Sequence, residues 1–492
     1  METEQATRPQ LSLTEAIIPI ASLIFLVGLS YFLFGDAGAG GPNQVALMVA
    51  TMVAAVIGLR HGLTLEEMRD AAIASVSSGL GAIFILLAVG ALVGTWALSG
   101  TIAAMVYYGL QLLSPNYFYA TALLICGFIS FSIGSSWTTV GTIGIGLMGI
   151  SQNMDMNAAI TAGAVVSGAY FGDKSSPLSD SANLAAAAAG VDLYKHIRET
   201  LLTSLVALVI SLLVFYQLGR PGEFDASQKM ALLKSTFNIS LLLFIPLATV
   251  IVLALCKVPA FTSIFIGALV AAGLAAFTAP ERVIAFAQPR EGIPSVLAML
   301  KGMWLALASG YKSSTGVPTI DLLVTRGGME SMMSTIWLII TALAFGGVVE
   351  KCGVLERLTT PILARAKSAG ALVAALAAAI IGTAIATADQ YMAVMLPGRS
   401  FKSAFEARGL APVVLSRTIG DVATPTSALI PWNSCGAYMA ATLGVATFSY
   451  APFAIFCIAS PIIAIVMAYC GIRMPRVSAP HLTSSETRST PE

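Results

Sequence analysis

The chain has 492 residues, 57% of them hydrophobic and only 10% charged, with a formal net charge of +1. An average soluble domain carries roughly 25% charged residues, so little is left here for a soluble domain, and the near-neutral balance argues against nucleic acid or acidic protein partners. Apolar runs near the length of a bilayer crossing, about 20 helical residues, dominate instead, and the composition predicts an all-α polytopic membrane protein with ten to thirteen hydrophobic elements.

After a polar tail at residues 1–12, the run Glu15–Phe34 reads as a first, uncleaved helix. Small residues just beyond it faintly resemble a signal-peptide cleavage site, but the preceding segment carries two glutamates against one arginine and the run is long. Gln44–Gly58 is a second apolar run, and Arg60–Asp70 (RHGLTLEEMRD) reads as a turn followed by a short amphipathic helix. Ser130–Thr142 (SFSIGSSWTTVGT) is a hydroxyl-rich break around Gly134, in which Ser135, Ser136, Thr138 and Thr139 offer the neutral oxygens a dehydrated sodium ion needs. Taken singly, each such residue is a back-bonded helix hydroxyl.

Ile160–Ala169 leads into Ser167–Ala189 (SGAYFGDKSSPLSDSANLAAAAA), where two aspartates, a lysine, a proline and five serines stand between apolar runs. Gly172 and Pro177 argue against a continuous helix there. A new helix beginning near Ser179, capped by its hydroxyl, puts Asp180 and Asn183 on one face. Lys174 is placed to neutralise a nearby aspartate. The bland alternative is a solvated loop with an N-cap.

Leu201–Leu218 is followed by a polar connecting loop at Pro221–Lys234, then by the apolar runs Phe237–Cys256 and Phe261–Phe277. Glu281–Gly302 mixes charge with Pro289 and Pro294. Thr335–Val349 ends at Glu350, either a membrane-edge charge in water or a buried proton relay, because an acid taken out of water exchanges protons nearer neutrality. Asp389 lies within the apolar run Ala369–Leu396, beside Gly382, Thr383 and Thr387, and an ionisable residue at that depth marks an ion pathway by default. Gly420–Asn433 (GDVATPTSALIPWN) is the last polar interruption before Phe453–Cys470, and residues 477–492 read as a disordered tail. Basic residues flank Leu201–Leu218 on both sides and fix no membrane orientation. The six cysteines sit singly in apolar runs and read as small buried hydrophobes.

The sequence also echoes itself. A shift of 248 residues lays Gly172, Asp173, Pro177 and Ser179 on Gly420, Asp421, Pro425 and Ser427, with Ser176 opposite Thr424, and Gly134 on Gly382. A shift of 253 lays Gly94 and Gly100 on Gly347 and Gly353. Matching Gly/Pro-interrupted segments in two halves point to a secondary-transporter binding site, because broken helices free backbone groups that lipid cannot satisfy. Enzymatic motifs are absent: no GxSxG elbow, HExxH helix or Walker loop occurs, no cofactor is implied, and transport would have to run on gradients.

Gly172–Ala185 (GDKSSPLSDSANLA) resembles the signature of NhaC-type sodium/proton antiporters, within a wider ion-transporter superfamily. GSSWTTVGTIG at Gly134–Gly144, GGVVEKCG at Gly346–Gly353, ADQYMAVMLPG at Ala388–Gly398 and PTSALIPWN at Pro425–Asn433 resemble further blocks of that family, in the same order. Ser175 stands where many relatives have methionine, and Ser181-Ala182 replace a threonine pair. The resemblance implies two inverted repeats with broken helices and hairpins meeting at a central site, and a homodimer.

The resulting expectation is a multi-pass protein of the cytoplasmic membrane that exchanges Na+ for H+. Residues 13–219 form one repeat and 236–476 the other, joined by a loop at 220–235. Asp173, Asp180 and Asp389 are the leading cation ligands and Asp421 a weaker one, with Asn183, Thr138, Thr139, Thr424 and Asn433 as neutral ligands and Glu350 as proton relay. Gly134, Gly172, Pro177, Gly382, Gly420 and Pro425 are the expected breaks. One alternative keeps the fold and exchanges a small organic anion or amino acid, such as malate for lactate. A non-transporting membrane scaffold is the other, although it would have no need of matching acidic breaks.

Overall fold

The computed structural model describes residues 11–219, 227–314, 316, 321 and 323–476. The expected disordered tail at 477–492 and most of the N-terminal tail lie outside the described residues. Apart from two isolated bridges, Tyr311 with Arg326 and Leu410 with Arg476, the described residues form helices and their connections.

Among the described residues, seven helices are long and apolar enough to cross a membrane: Leu13–Phe34, Pro42–Arg60, Leu80–Ser99, Leu193–Gln217, Ala260–Thr278, Met329–Lys351 and Ala369–Thr387. Two bent pairs, each a broken span or a re-entrant loop, join them: Ser227–Thr236 with Leu241–Leu255 at 88° and Thr447–Phe453 with Ile455–Tyr469 at 57°. With the shorter apolar helices Thr101–Leu112, Phe118–Ile133 and Ser295–Ala308, the hydrophobic elements fall within the number expected. Spans of this number and length make a multi-pass membrane protein.

Helix starts follow local chemistry. Ser12 and Thr64 each form a capping box with the glutamate three residues on, Glu15 and Glu67, so orphan N–H groups are met on both sides. The second box starts the helix Leu65–Ser78, longer than the amphipathic stretch read from sequence. The connecting segment is not all loop either, since Ser227–Thr236 is helical. Four of the cysteines are buried, but Cys256 and Cys470 are exposed. Both follow the last residue of a helix, where the side chain leaves the packed face.

Some element boundaries recur in a register of 253–254 residues. Helices Thr101–Leu112 and Val354–Arg365 correspond at 253, and Asp180–Ala189 and Ser434–Leu443 at 254, at both ends. Left-handed residues recur in step: Gly100 with Gly353, Gly134 with Ala388, and Gly190 with Gly444. The 253 echo of the glycines therefore follows the fold, whereas the 248 echo does not. It misplaces Asp421 by six residues, about one and two-thirds helical turns, and so onto a different face from Asp173.

The breaks also fall elsewhere than several of the expected positions. Gly172 lies inside helix Ala158–Ser175, Gly382 inside Ala369–Thr387, and Gly420 and Pro425 inside Pro412–Ser427. The chain leaves helix at Gly134–Ser135, at Ser176–Ser179 around Pro177, at Ala388–Asp389, and at Ala428–Asn433. Gly172 serves close packing instead. A Cβ there would stand 2.4 Å from the backbone nitrogen of Phe131, so helix Ala158–Ser175 lies against helix Phe118–Ile133 nearly backbone to backbone, the usual use of small residues between membrane helices.

Candidate functional site

Each break starts a new helix with a polar N-cap. Ser135 Oγ accepts from the N–H of Thr138 at 3.2 Å, and Ser179 Oγ accepts from the N–H of Ala182 at 3.3 Å. Asp389 accepts from the N–H of Met392 at 2.8 Å, and Asn433 from the N–H of Cys435 at 3.0 Å. The caps Ser135 and Asp389, and Ser179 and Asn433, are pairs 254 residues apart. One half thus uses serines where the other uses an acid and an amide.

A cleft of about 230 Å³ lies where these four helix starts meet, and its lining includes Ser135, Asp180, Asp389 and Ser434. The N-termini of four helices therefore face one space. Alone they would favour an anion, since orphan N–H groups and helix dipoles are positive there. The carboxylates of Asp173, Asp180 and Asp389 on the same walls reverse that preference.

Asp173 is buried and held by neutral donors only. The Ser136 hydroxyl donates to its Oδ2 at 2.6 Å and the Ser136 N–H at 3.2 Å. The hydroxyls of Ser179 and Ser181 donate to Oδ1, the latter at 3.2 Å. Asp389 is buried and follows Ala388, a non-glycine residue at φ 58°. That uncommon backbone is fixed from the break at Ala428–Asn433 and the helix after it, where the Ser434 N–H donates to the Ala388 carbonyl at 2.9 Å and the Trp432 indole to the Ile385 carbonyl at 2.8 Å. Asp180 is exposed towards the cleft. Trp137 stacks on Tyr438 with ring centroids 4.1 Å apart, and the Tyr438 hydroxyl donates to the Trp137 carbonyl at 2.8 Å, joining the first break to the second half.

Beside the cleft lies a vestibule of about 480 Å³ that shares Ser135 and Asp180 with it and adds Thr138, Asn183 and the exposed Lys257. Asp180 and Asn183 thus share a wall, as their spacing implied. Gly134 lines both spaces and Pro177 the vestibule, whereas the remaining candidate ligands and Glu350 lie apart from both linings. Thr139 donates to the Ser135 carbonyl at 2.9 Å, and Asn433 to the Ala384 carbonyl at 3.3 Å. Thr424 is buried within helix Pro412–Ser427, and Glu350 is exposed near the end of helix Met333–Lys351. Lys174 does not neutralise Asp173. It pairs with Asp421 at 2.6 Å, buried, outside the cleft.

Sequence reasoning missed Gln390, Ser434 and Lys257. The amide oxygen of Gln390 accepts from Ser427 at 3.1 Å, and its side chain lines the cleft. Both Gln390 and Ser434 are the first residue after a cap, so the caps Asp389 and Asn433 were the available signal.

This architecture defines a polytopic helical membrane protein whose broken helices converge on an acidic cleft. The sequence profile of the Na+/H+ antiporter family matches residues 168–472. Over 434 residues the chain is 37% identical to the Na+/H+ antiporter NhaC of Alkalihalophilus pseudofirmus, a match covering 87% of this chain and 90% of that relative. It is 35% identical over 476 residues to the malate-2H+/Na+-lactate antiporter of Bacillus subtilis, covering 94% and 95% of the two chains. It is 34% identical over 478 residues to the arginine/ornithine antiporter ArcD of Halobacterium salinarum, covering 94% and 93%. The chain belongs to the Na+/H+ antiporter family.

Proposed function

We propose that this protein exchanges Na+ for H+ across the cell membrane, and that both ions compete for the carboxylates of Asp173, Asp180 and Asp389. The observation that carries the residue assignment is the convergence of these three acids on one cleft at four helix starts. Serine and threonine oxygens stand beside them, so a sodium ion that sheds water meets both charge and neutral ligands. Protonation of a carboxylate removes the charge that holds sodium, and bound sodium displaces the proton. Exchange follows if the loaded protein changes face and the empty one does not.

Proteoliposomes with imposed sodium and pH gradients provide the test. Asp173→Asn, Asp180→Asn and Asp389→Asn are expected to lose most sodium-dependent proton flux while inserting normally. Full flux in all three would remove these residues from the mechanism.

One observation favours a second cargo. The vestibule has room for several waters of about 30 Å³ each, far more than one sodium ion requires, and Lys257 offers it an ammonium. A small organic anion entering with the ions would fit that chemistry. A thermal-shift screen with lactate, malate and amino acids decides, since this reading requires a shift that needs both the organic anion and sodium.

A further inference from the structure

Asp173 and Lys174 are adjacent in the chain, yet their charges are kept apart. Asp173 turns to the cleft, where its hydrogen-bond partners, Ser136, Ser179 and Ser181, are all neutral. Lys174 turns into the wall between helices Ala158–Ser175 and Pro412–Ser427. Its Nζ lies 2.6 Å from Oδ1 of Asp421, with side chains 1% and 0% exposed, and donates to Ser460 Oγ at 2.9 Å. Thr203 donates to the same Asp421 oxygen at 2.7 Å, and Ser460 donates to the Asp421 backbone carbonyl at 2.8 Å. Four helices thus hold one ion pair, with the ammonium 5.6 Å from the centre of the Phe456 ring.

A buried ammonium needs a counter-charge, because removing one partner of a buried pair leaves the other uncompensated. If Asp421 were neutral, the next acid available along the chain would be Asp173 itself. An ammonium settled on Asp173 would act as a tethered competitor for the transported cation. Of the basic side chains near the pair, the Arg417 guanidinium donates to the Arg473 carbonyl at 2.7 Å and the His196 ring pairs with Ser416, while Arg417 Nε and His196 Nε2 have no partner among the described residues.

We infer that Asp421 is a positioning residue that sequesters Lys174, leaving the Asp173 carboxylate free of any protein cation and open to the transported ion. The inference rests on the reading of Asp173 as an ion ligand. Asp421 itself touches no transported ion.

The test compares sodium half-saturation of exchange in proteoliposomes for the wild type, D421N, K174M, the double variant K174M/D421N, and D173N. D421N is expected to raise half-saturation about tenfold or more, with a smaller effect on the rate at saturating sodium. The double variant carries no competing ammonium and is expected to return to within about threefold of wild type. A purely structural ion pair would lower the folded yield of both single variants, recover in the double, and leave half-saturation unmoved throughout; that result overturns the inference. If D421N fails to reach the membrane, D421S takes its place, because it too removes the counter-charge and keeps Lys174. A tenfold rise in its half-saturation supports the inference, and wild-type half-saturation overturns it. D173N separates the two layers of the reading. Wild-type half-saturation in D173N sinks the ion-ligand assignment, whereas loss in D173N with an unmoved D421N sinks only the role of Asp421.

Discussion

Gly172→Ala and Gly382→Ala separate two glycines that look alike in sequence, each placed within a polar interruption of an apolar run. At position 172 a Cβ would meet the Phe131 nitrogen at 2.4 Å, the Ser130 Cβ at 2.5 Å and the Gly127 carbonyl oxygen at 2.6 Å. Two of these are backbone atoms that cannot rotate away, so helices Phe118–Ile133 and Ala158–Ser175 must part by about 1 Å to restore ordinary contact. Overpacking of this kind costs about 1–3 kcal/mol. The functional effect is larger, because the next residue is Asp173. Its 2.6 Å hydrogen bond from Ser136 is lost when stretched by that amount, and a misplacement of about 1 Å at a reacting group costs on the order of 100-fold. At position 382 a Cβ meets nothing within 4 Å, and alanine inside a helix is better than glycine by about 0.5–1 kcal/mol. Thermal melting in detergent and sodium-driven quenching of a pH-sensitive dye in proteoliposomes give the two readouts. Gly172→Ala should melt earlier and lose nearly all exchange, while Gly382→Ala should melt at or above the wild type and transport normally. Wild-type exchange in Gly172→Ala, or equal loss in both, would refute the reasoning.

Asp389 combines a cap with a charge, and substitution separates the two. Asp389→Asn keeps an acceptor for the Met392 N–H and should melt within about 1 kcal/mol of wild type while losing exchange, whereas Asp389→Ala should lose both; exchange surviving in Asn would assign the residue to capping alone. Trp432→Phe removes the indole donor from the Ile385 carbonyl, which should cost about 1–3 kcal/mol, seen as a lower melting temperature. Lys257→Met removes an exposed ammonium from the vestibule, so sodium half-saturation should fall about twofold to threefold at low ionic strength and converge with wild type at high salt. A difference independent of salt would point to a contact rather than a field.

The legible parts of the sequence were those that local chemistry decides. Six of the apolar runs became membrane-length helices, and Pro177 and the cap Ser179 gave the break ahead of Asp180 because a proline and a capping hydroxyl act within a single turn. The acids Asp173, Asp180 and Asp389 stood out since charge is rare in such company, and the fold brings all three to one cleft. Partners across the fold were not legible. The sequence offers Lys174 as a neutraliser of a nearby aspartate without fixing which, and only packing between helices decides that it reaches Asp421, 247 positions away. The identity match at 248 misled for a related reason. Structural equivalence here is carried by caps and left-handed turns, which different residues satisfy, such as Ser135 and Asp389 or Gly134 and Ala388, and identity counting is blind to such substitutions.

The asymmetry of those caps bears on why a single cation should settle the cleft. Four helix N-termini each contribute roughly +0.5 of an elementary charge, about +2 together. Asp173, Asp180 and Asp389, if ionised, contribute three negative charges, so the empty site carries a net charge of about −1. Lys174 and Asp421 cancel within the wall and leave this balance unaltered. One monovalent ion then neutralises the site, and a second would make it positive in a region where uncompensated charge is costly. Na+ and H+ are on this account mutually exclusive occupants without any direct contact between their binding positions. Had both halves used serine caps, with neither Asp180 nor Asp389, the same four helix starts would have made a cavity for anions. The shared backbone plan thus leaves the sign of the cargo to a few side chains, and within one fold the step from a cation site to one that also accepts a carboxylate requires few substitutions.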